Sequence, residues 1–183
     1  MKTNLKLKTM NRITLKNIKF NEDFSEETNC FKGDIYFDNN KVGHCENDGR
    51  GGNTYCFHSS IETKEKFNEM LEYCETLPPI VVKGMFTHED FEINSTIDNI
   101  CDELFETWLK QKENKKMEKN FNKGICFGND YSYQISSVKQ GGKSITIDEL
   151  IKTTHGITFL KNLCEEKKKE GYKILNTNLP FEV

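Results

Sequence analysis

A glycine-rich segment, residues 46–53 with the sequence Glu-Asn-Asp-Gly-Arg-Gly-Gly-Asn, lies between two strand-like runs, 35–45 and 54–58. It contains three of the twelve glycines of the chain, and no apolar pattern runs through it. The flanking runs alternate apolar and polar residues, which is typical of strands with one buried face. We therefore expect a strand on each side and a loop between them.

The N-terminal part of the chain predicts an antiparallel meander of three to four strands. Residues 12–20 alternate and then change phase, which indicates a strand with a bulge. Residues 31–38 alternate again. The sequence Asp-Asn-Asn-Lys at 38–41 favours a tight turn, because Asp and Asn tolerate positive φ. The next two strands are predicted at 42–45 and, beyond the glycine-rich segment, at 53–58.

Helical periodicity follows at two places. Residues 59–77 predict a helix that begins with a capping box of Ser59 and Glu62. A second helix is predicted to begin at a cap formed by Ser95 and Asp98. The apolar stripe of the first helix is Phe67, Met70, Leu71, Cys74 and Leu77. The stripe of the second, which we expect in the core, is Ile97, Ile100, Cys101, Leu104, Phe105, Trp108 and Leu109.

The second half predicts another hairpin and a further helix. The hairpin is expected within 124–138, and Thr146 and Glu149 form a capping box in front of helical sequence. Gly171 is a plausible C-cap. The apolar stripe is Phe159, Leu160, Leu163 and Cys164. Residues 80–82 are predicted as an edge strand and 83–94 as a loop. Residues 141–142 are predicted as a flexible break and 172–175 as a last strand.

These patterns predict an α+β fold. A mainly antiparallel sheet is formed by the N-terminal meander and the second hairpin, and two to three amphipathic helices pack on one face. Residues 1–11 are expected to form a loose basic leader. Residues 12–183 are expected to form a single domain, with a candidate hinge in the polar segment 110–123. Whether the two hairpins share one sheet is left open.

The composition excludes some classes of function. The net charge of −3 gives no basic surplus, so we predict no general nucleic-acid binding. No run of about 18 apolar residues occurs, and no apolar segment follows the first lysines, so we expect neither a membrane span nor a secretory signal. The seven cysteines are scattered and odd in number, which favours reduced core thiols in a cytoplasmic protein.

The glycine-rich segment is the first candidate site. Successive glycines allow backbone N–H groups to converge on an anion, and Arg50 can add a bidentate contact to a phosphate. In this hypothesis Asn47 and Asp48 bind hydroxyl groups of the ligand, and Glu27 or Tyr55 closes the site. The predicted ligand-binding residues are Glu27, Asn47, Asp48, Gly49, Arg50, Gly51, Gly52 and Tyr55. The segment matches neither a Walker loop nor GxGxxG, and a flexible hairpin loop is the alternative.

A metal site is the second candidate. His44, Cys45, Cys56 and His58 flank the glycine-rich segment, and two His with two Cys suit tetrahedral zinc. Adjacent residues of a strand point to opposite faces, however, and the spacing matches no common ligand motif. We therefore predict ordinary strand positions for these four residues, no bound metal and no cofactor.

Three further patterns in the sequence are weaker. Cysteines and histidines offer nucleophile–base pairs, but no local signature supports one. Residues 21–29 form an acidic loop. Its Glu26 and Glu27 can act as paired carboxylates of a hydrolase if the loop folds over the glycine-rich segment, and a solvated loop is the alternative. Tyr131 and Tyr133 have a spacing that suits base stacking as well as sheet packing, and we favour packing.

Three short blocks of the chain resemble a group of small accessory proteins encoded by bacteriophages and mobile elements. The blocks are residues 25–31 (SEETNCF), 47–52 (NDGRGG) and 174–182 (ILNTNLPFE). The resemblance covers most of the chain from Arg12 onward. It implies a small protein that acts in the host bacterial cytoplasm. By analogy, some phage accessory proteins of this size neutralise host defence by sequestering a nucleotide signal or by blocking a defence protein.

The leading hypothesis is therefore a non-catalytic counter-defence protein. It binds a small phosphate-containing ligand, a nucleotide signal, at the loop 47–53. One alternative is an inhibitor that contacts a host defence protein directly. Another is a hydrolase of a nucleotide signal. The oligomeric state stays open.

Overall fold

The structure, a computed structural model, describes residues 12–82, 89–129 and 132–183. These residues form eleven strands and four α-helices. The chain divides into two compact units, Met1–Leu109 and Lys110–Val183. The expected leader 1–11, part of the expected loop 83–94, and Asp130 and Tyr131 of the second hairpin lie outside the described residues. The α+β fold predicted from the sequence is confirmed.

Four strands of the first unit form the predicted meander. They are β1 (Ile13–Asn21), β2 (Cys30–Phe37), β3 (Asn40–Asn47) and β4 (Tyr55–His58), and they pair antiparallel in chain order. The β2–β3 turn is tight, with φ of 48° at Asp38 and 65° at Asn39. This left-handed backbone is the one that Asp and Asn tolerate best, so the turn residues determine where the chain reverses.

The predicted bulge in β1 is confirmed. Lys16 pairs with Asp34 and Lys19 pairs with Lys32, so two residues of β1 stand opposite Gly33 alone. Asn17 takes a φ of 52° and its amide donates to the Asp34 carboxylate at 2.7 Å. A bulge changes the phase of side-chain alternation. Lys16 and Lys19, three positions apart, therefore lie on the same face of the sheet.

The opposite face of the meander packs on two helices. These are α1 (Lys64–Glu75) and α2 (Ile97–Glu118). The strands contribute Ile13, Phe31, Ile35, Phe37, Val42 and Cys45 to the core. Later elements contribute Phe67, Met70, Cys74, Leu77, Ile80, Ile97, Ile100, Cys101 and Phe105. Trp108 packs at the margin of this core and is partly buried.

Both helix starts in this unit differ from the prediction. The first helix begins at Lys64 and not at 59, because Ser60 and Thr63 form a hydrogen-bonded turn before it. Ser95 does not cap the second helix, because its hydroxyl donates to the Pro78 carbonyl at 2.5 Å. Thr96 accepts from the Asn99 amide there instead. Short hydroxyl side chains compete for several local acceptors, which makes the capping residue hard to choose from sequence.

A two-stranded ribbon completes the first unit. It pairs β5 (Ile80–Val82) with β6 (Phe91–Ile93). The edge strand at 80–82 is confirmed, whereas residues 91–93, predicted as loop, form its partner.

The second unit holds two small sheets and two helices. Its strands are β7 (Ile125–Gly128), β8 (Tyr133–Ser136), β9 (Val138–Gln140), β10 (Lys143–Ile145) and β11 (Lys173–Ile174). The sheet order is β11-β7-β8, with β9 and β10 as a separate hairpin. The helices are α3 (Ile147–Leu150) and α4 (Thr154–Lys169). Among the described residues, the second hairpin and the meander therefore belong to different sheets.

Local predictions in the second unit are largely confirmed. Thr146 and Glu149 form the expected capping box, and Gly171 follows α4 with a φ of 90°. The core contains Ile125, Phe127, Ile147, Leu160 and Cys164. Phe159, a member of the predicted apolar stripe, is exposed and lies outside this core. The glycines at 141–142 form the turn of the β9–β10 hairpin and are not a break between elements.

Among the described residues, no helix combines the length and the apolar composition that a membrane span requires.

Candidate ligand-binding cleft

Asn47 organises the glycine-rich loop. Its side chain is only 6% exposed, and its oxygen accepts from the Thr28 hydroxyl and the Gly49 amide, both at 2.9 Å. Its amide group donates to the Gly52 carbonyl and the Thr54 hydroxyl, both at 3.1 Å. These contacts use both amide hydrogens and both acceptor sites of the side chain. Asn47 therefore holds the loop together, and its predicted contact to a ligand hydroxyl is not available in this conformation.

The acidic loop docks onto the glycine-rich loop through Gly49. The Gly49 carbonyl accepts from the amides of Glu26, Glu27 and Thr28, at 3.0, 2.9 and 3.2 Å. Three successive amides that converge on one oxygen form the kind of backbone concavity that binds anions. This concavity lies in the acidic loop, and a protein carbonyl fills it.

The amides of the glycine-rich loop are also largely satisfied from within. The Gly49 amide donates to Asn47, the Arg50 amide to the Asp48 carboxylate at 3.1 Å, and the Gly51 amide to the Thr28 hydroxyl at 3.3 Å. The expected anion nest is thus closed by the oxygen atoms of neighbouring side chains. Arg50 and Gly52 are exposed at the outside of the loop.

A cleft of about 610 Å³ lies beside this loop, at the end of the meander. It is lined by Lys19, Phe20, Asn21, Cys30, Phe31, Lys32, Glu46, Asn47, Asp48 and Tyr55. Of the predicted site residues, Asn47, Asp48 and Tyr55 line this cleft. Glu27, Gly49, Arg50, Gly51 and Gly52 are not among its lining residues. The carboxylate of Glu27 instead lies directly against Gly51.

Two lysines stand opposite each other in the cleft. Lys19 of β1 pairs with Lys32 of β2, and both side chains are exposed. Among the described residues, neither ammonium group has an acidic partner within ion-pair distance. Like charges on directly opposed strand positions are destabilising. An anion bound between these two lysines would relieve that repulsion.

An aromatic ring lies at the other end of the same cross-strand row. Lys32 pairs with Glu46, and Glu46 pairs with Tyr55 on β4. The Tyr55 side chain is 60% exposed, so its ring is open to contact with a ligand. Neighbouring strands lie about 4.8 Å apart, so the row from Lys19 to Tyr55 spans roughly 14 Å. The cleft therefore offers cations at one end and an aromatic face at the other.

A buried polar chain connects the loop to helix α2. Thr54 is almost fully buried, receives a hydrogen bond from Asn47 and donates one to the Asp102 carboxylate. Burial raises the pKa of Asp102, and the Thr54 hydroxyl partly offsets this. The loop is thus anchored from beneath as well as by the acidic loop.

The metal candidates are divided between the two faces of the sheet. Cys45 and Cys56 are cross-strand partners that face the core, and His58, which pairs with Gly43, lies on the same side of the sheet. His44 pairs with Phe57 on the other side. Within 12–82, 89–129 and 132–183, no group of three such side chains is placed to hold a metal ion.

The thiols nearby behave as core groups. The sulfurs of Cys56 and Cys101 lie 3.7 Å apart. Hydrogen bonding to Cys45 and Cys56, together with burial, raises the pKa of the Cys101 thiol, and burial raises that of Cys74 to about 11. High thiol pKa values keep these groups protonated and weakly nucleophilic.

In the second unit, Tyr133 is partly buried and its hydroxyl accepts from the Asn120 amide at 3.2 Å. This contact agrees with packing. Tyr131, the other ring of that pattern, lies outside the described residues.

Sequence reasoning missed Lys19, Lys32, Thr54 and Asp102. The phase shift in β1 was the available signal for Lys19, because a bulge at that point brings it to the face of Lys16 and Lys32. No signal in the sequence pairs Thr54 with Asp102, which lie 48 positions apart.

No family model matches this chain, and no match was found among curated proteins or among solved structures.

Proposed function

We propose that this protein binds a small phosphate-containing ligand, a nucleotide, in the cleft between the glycine-rich loop and the meander, and that it holds the ligand without converting it. The observation that carries the proposal is the cross-strand row with Lys19 and Lys32 at one end, without an ion-pair partner among the described residues, and the exposed Tyr55 at the other. Glu46 stands between them. Cations at one end and an aromatic face at the other suit a molecule with a phosphate and a base.

Each group has a defined part in this binding. Lys19 and Lys32 contact the phosphate as point charges, and Tyr55 stacks on the base. One oxygen of Asp48 accepts from the Arg50 amide, which leaves the other for a ribose hydroxyl. In this proposal the phosphate is bound by the two lysines and not by the backbone amides of Gly49 and Gly51.

The biological context comes from the resemblance to phage accessory proteins. It suggests a counter-defence protein that sequesters a nucleotide signal in the host cytoplasm. The cleft is lined by two carboxylates, Glu46 and Asp48, and its one thiol, Cys30, has no histidine beside it among the lining residues. Turnover of a bound nucleotide would contradict the non-catalytic part of this proposal.

Calorimetric titration with mono-, di- and cyclic nucleotides tests the proposal. Lys32→Gln should weaken nucleotide binding by about tenfold or more, because a hydrogen bond to a charged group contributes about 1.5–3 kcal/mol. Lys119→Gln removes the same charge from an exposed position outside the cleft and should have no effect. Recovery of intact ligand after the protein is heated distinguishes retention from hydrolysis. Absence of binding across the panel, or equal affinities for the two variants, would overturn the proposal.

One observation favours the second candidate, an inhibitor that contacts a host protein. Phe24 is 58% exposed in the acidic turn Glu22–Phe24, next to Glu26 and Glu27. An exposed aromatic residue on an ordered loop is typical of an interface anchor. Capture of one stoichiometric protein from host lysate, lost in both Phe24→Ala and a charge reversal at Glu26 and Glu27, would favour this candidate.

A further inference from the structure

The cleft continues onto a broader surface of the meander, which we call the open face. It is the side of the sheet that carries Lys16, Lys32, His44, Tyr55 and Phe57, opposite the side that packs on α1 and α2. All five of these side chains are exposed. The open face begins at the cleft and extends by two more cross-strand rows.

Aromatic rings form a strip along one side of the open face. Phe57 is 45% exposed, and its ring centroid lies 6.5 Å from that of Tyr55, with an angle of 18° between the planes. The His44 ring lies 5.4 Å from Phe57 on the next strand. Only Tyr55 among these three belongs to the cleft. A single nucleotide held there leaves Phe57 and His44 unused.

Lysines line the rest of the open face. The Lys16 ammonium lies 4.1 Å from the centre of the Tyr36 ring, and Lys41 forms an ion pair with Asp34 at 2.8 Å. Lys16, like the two cleft lysines, has no acidic partner within ion-pair distance in the described part of the chain. The same face carries two acids, Asp34 and Glu46, against the four lysines Lys16, Lys19, Lys32 and Lys41, so it has a positive surplus although the chain as a whole carries a net charge of −3.

We propose that the open face binds a short single-stranded nucleic acid. This inference rests on the proposed function and names its ligand, because one nucleotide of the strand occupies the cleft on Tyr55 and the next base stacks on Phe57. The phosphates follow the lysines. Exposed rings interleaved with cations are the features by which proteins hold single strands without reading their sequence. A protein partner fits less well, because protein interfaces are depleted in lysine.

The chemistry also predicts selectivity against duplexes. Stacking on Tyr55 and Phe57 requires unpaired bases, which a duplex keeps inside. The overall negative charge disfavours long polyanions in general. The expected ligand is therefore a short strand or end with unpaired bases.

Fluorescence anisotropy with labelled hexathymidylate tests this inference, with thymidine monophosphate and a hairpin duplex as comparison ligands. The hexamer should bind about tenfold more tightly than the monophosphate, because a second stacked base and further phosphates are engaged. Phe57→Ala should remove about tenfold of hexamer affinity and leave the affinity for the monophosphate unchanged. Phe57→Trp should retain binding. Phe159→Ala, which removes a ring of similar exposure from α4, should have no effect.

Equal affinity for hexamer and monophosphate, or an unchanged hexamer affinity in Phe57→Ala, would overturn the single-strand proposal and leave the nucleotide cleft standing. Tight binding of the duplex would overturn it as well. If neither the hexamer nor any nucleotide binds, both proposals fail.

Discussion

At the scale of single residues, the glycine-rich loop depends on one backbone conformation. Gly49 has a φ of 85°, and a Cβ placed on it would overlap the Phe24 carbonyl. Its own carbonyl accepts the three amides of the acidic loop. Two loops are therefore joined at a residue that must lack a side chain.

Gly49→Ala should destabilise the protein by more than the roughly 1 kcal/mol expected for left-handed backbone alone, because it also displaces the acidic loop. Urea denaturation measures the change. Gly141→Ala separates the two causes, since Gly141 has a φ of 59° but open space around it. Gly52→Ala, in the same loop with no neighbour near and no positive φ, should be close to neutral. A smaller loss for Gly49→Ala than for Gly141→Ala would contradict this account.

The same residues show how far the sequence can predict this site. Three of the eight expected residues, Asn47, Asp48 and Tyr55, line the candidate cleft, and the other five do not. The atoms that face a ligand could not be predicted. Asn47 satisfies the loop amides from within, and this depends on contacts with Thr28 and Thr54 that only the folded chain brings together.

Among the secondary-structure elements, the bulge in β1 determines which lysine side chains face the cleft. Without it, Lys16 and Lys19 would point to opposite faces, and Lys19 could not oppose Lys32. Asp34 holds the bulge, because it accepts from Asn17 at 2.7 Å and pairs with Lys41. These contacts lower the pKa of Asp34, that with Asn17 first and that with Lys41 second.

The lowered pKa of Asp34 predicts a pH dependence of stability. A carboxyl group whose folded pKa is depressed stabilises the fold above its unfolded pKa, about 3.9, and this contribution is lost as the pH falls through the folded value. Asp34→Asn should therefore be less stable than the wild type at pH 7, and the difference should shrink below about pH 4. Thermal unfolding across pH measures it. Glu92→Gln removes a carboxylate from an exposed strand position and is the control. A stability difference that stays constant with pH for Asp34→Asn would contradict the assignment.

Elements with strong periodicity could be predicted, and those fixed by pairing at a distance could not. The meander, the bulge and the stripe of α2 follow from alternation and helical spacing in the chain itself. Strand β6 was missed because Phe91–Ile93 is short and is defined by its partner Ile80–Val82. The β9–β10 hairpin was missed because its two glycines serve as a turn as readily as a break.

Across the described residues of the whole chain, the buried side chains form two hydrophobic clusters that share no residue. One lies in the unit Met1–Leu109 and includes Ile35 and Phe105, and the other lies in the unit Lys110–Val183 and includes Leu160. Every residue that lines the cleft belongs to the first unit. We therefore expect that a loss of stability in the second unit leaves the proposed nucleotide binding unchanged.

Leu160→Ala tests this separation. Leu160 is fully buried on α4, and truncation of such a leucine costs about 2–5 kcal/mol, because it leaves a cavity as well as removing apolar contact. Chemical denaturation should show this loss in a transition of the second unit, while Phe159→Ala, on the same helix but exposed, should lose much less. The nucleotide affinity proposed for the cleft, measured where both variants are folded, should equal that of the wild type, because no residue that lines the cleft is changed. A loss of affinity in Leu160→Ala under those conditions would mean that the two clusters fold as one cooperative unit and that the cleft depends on both.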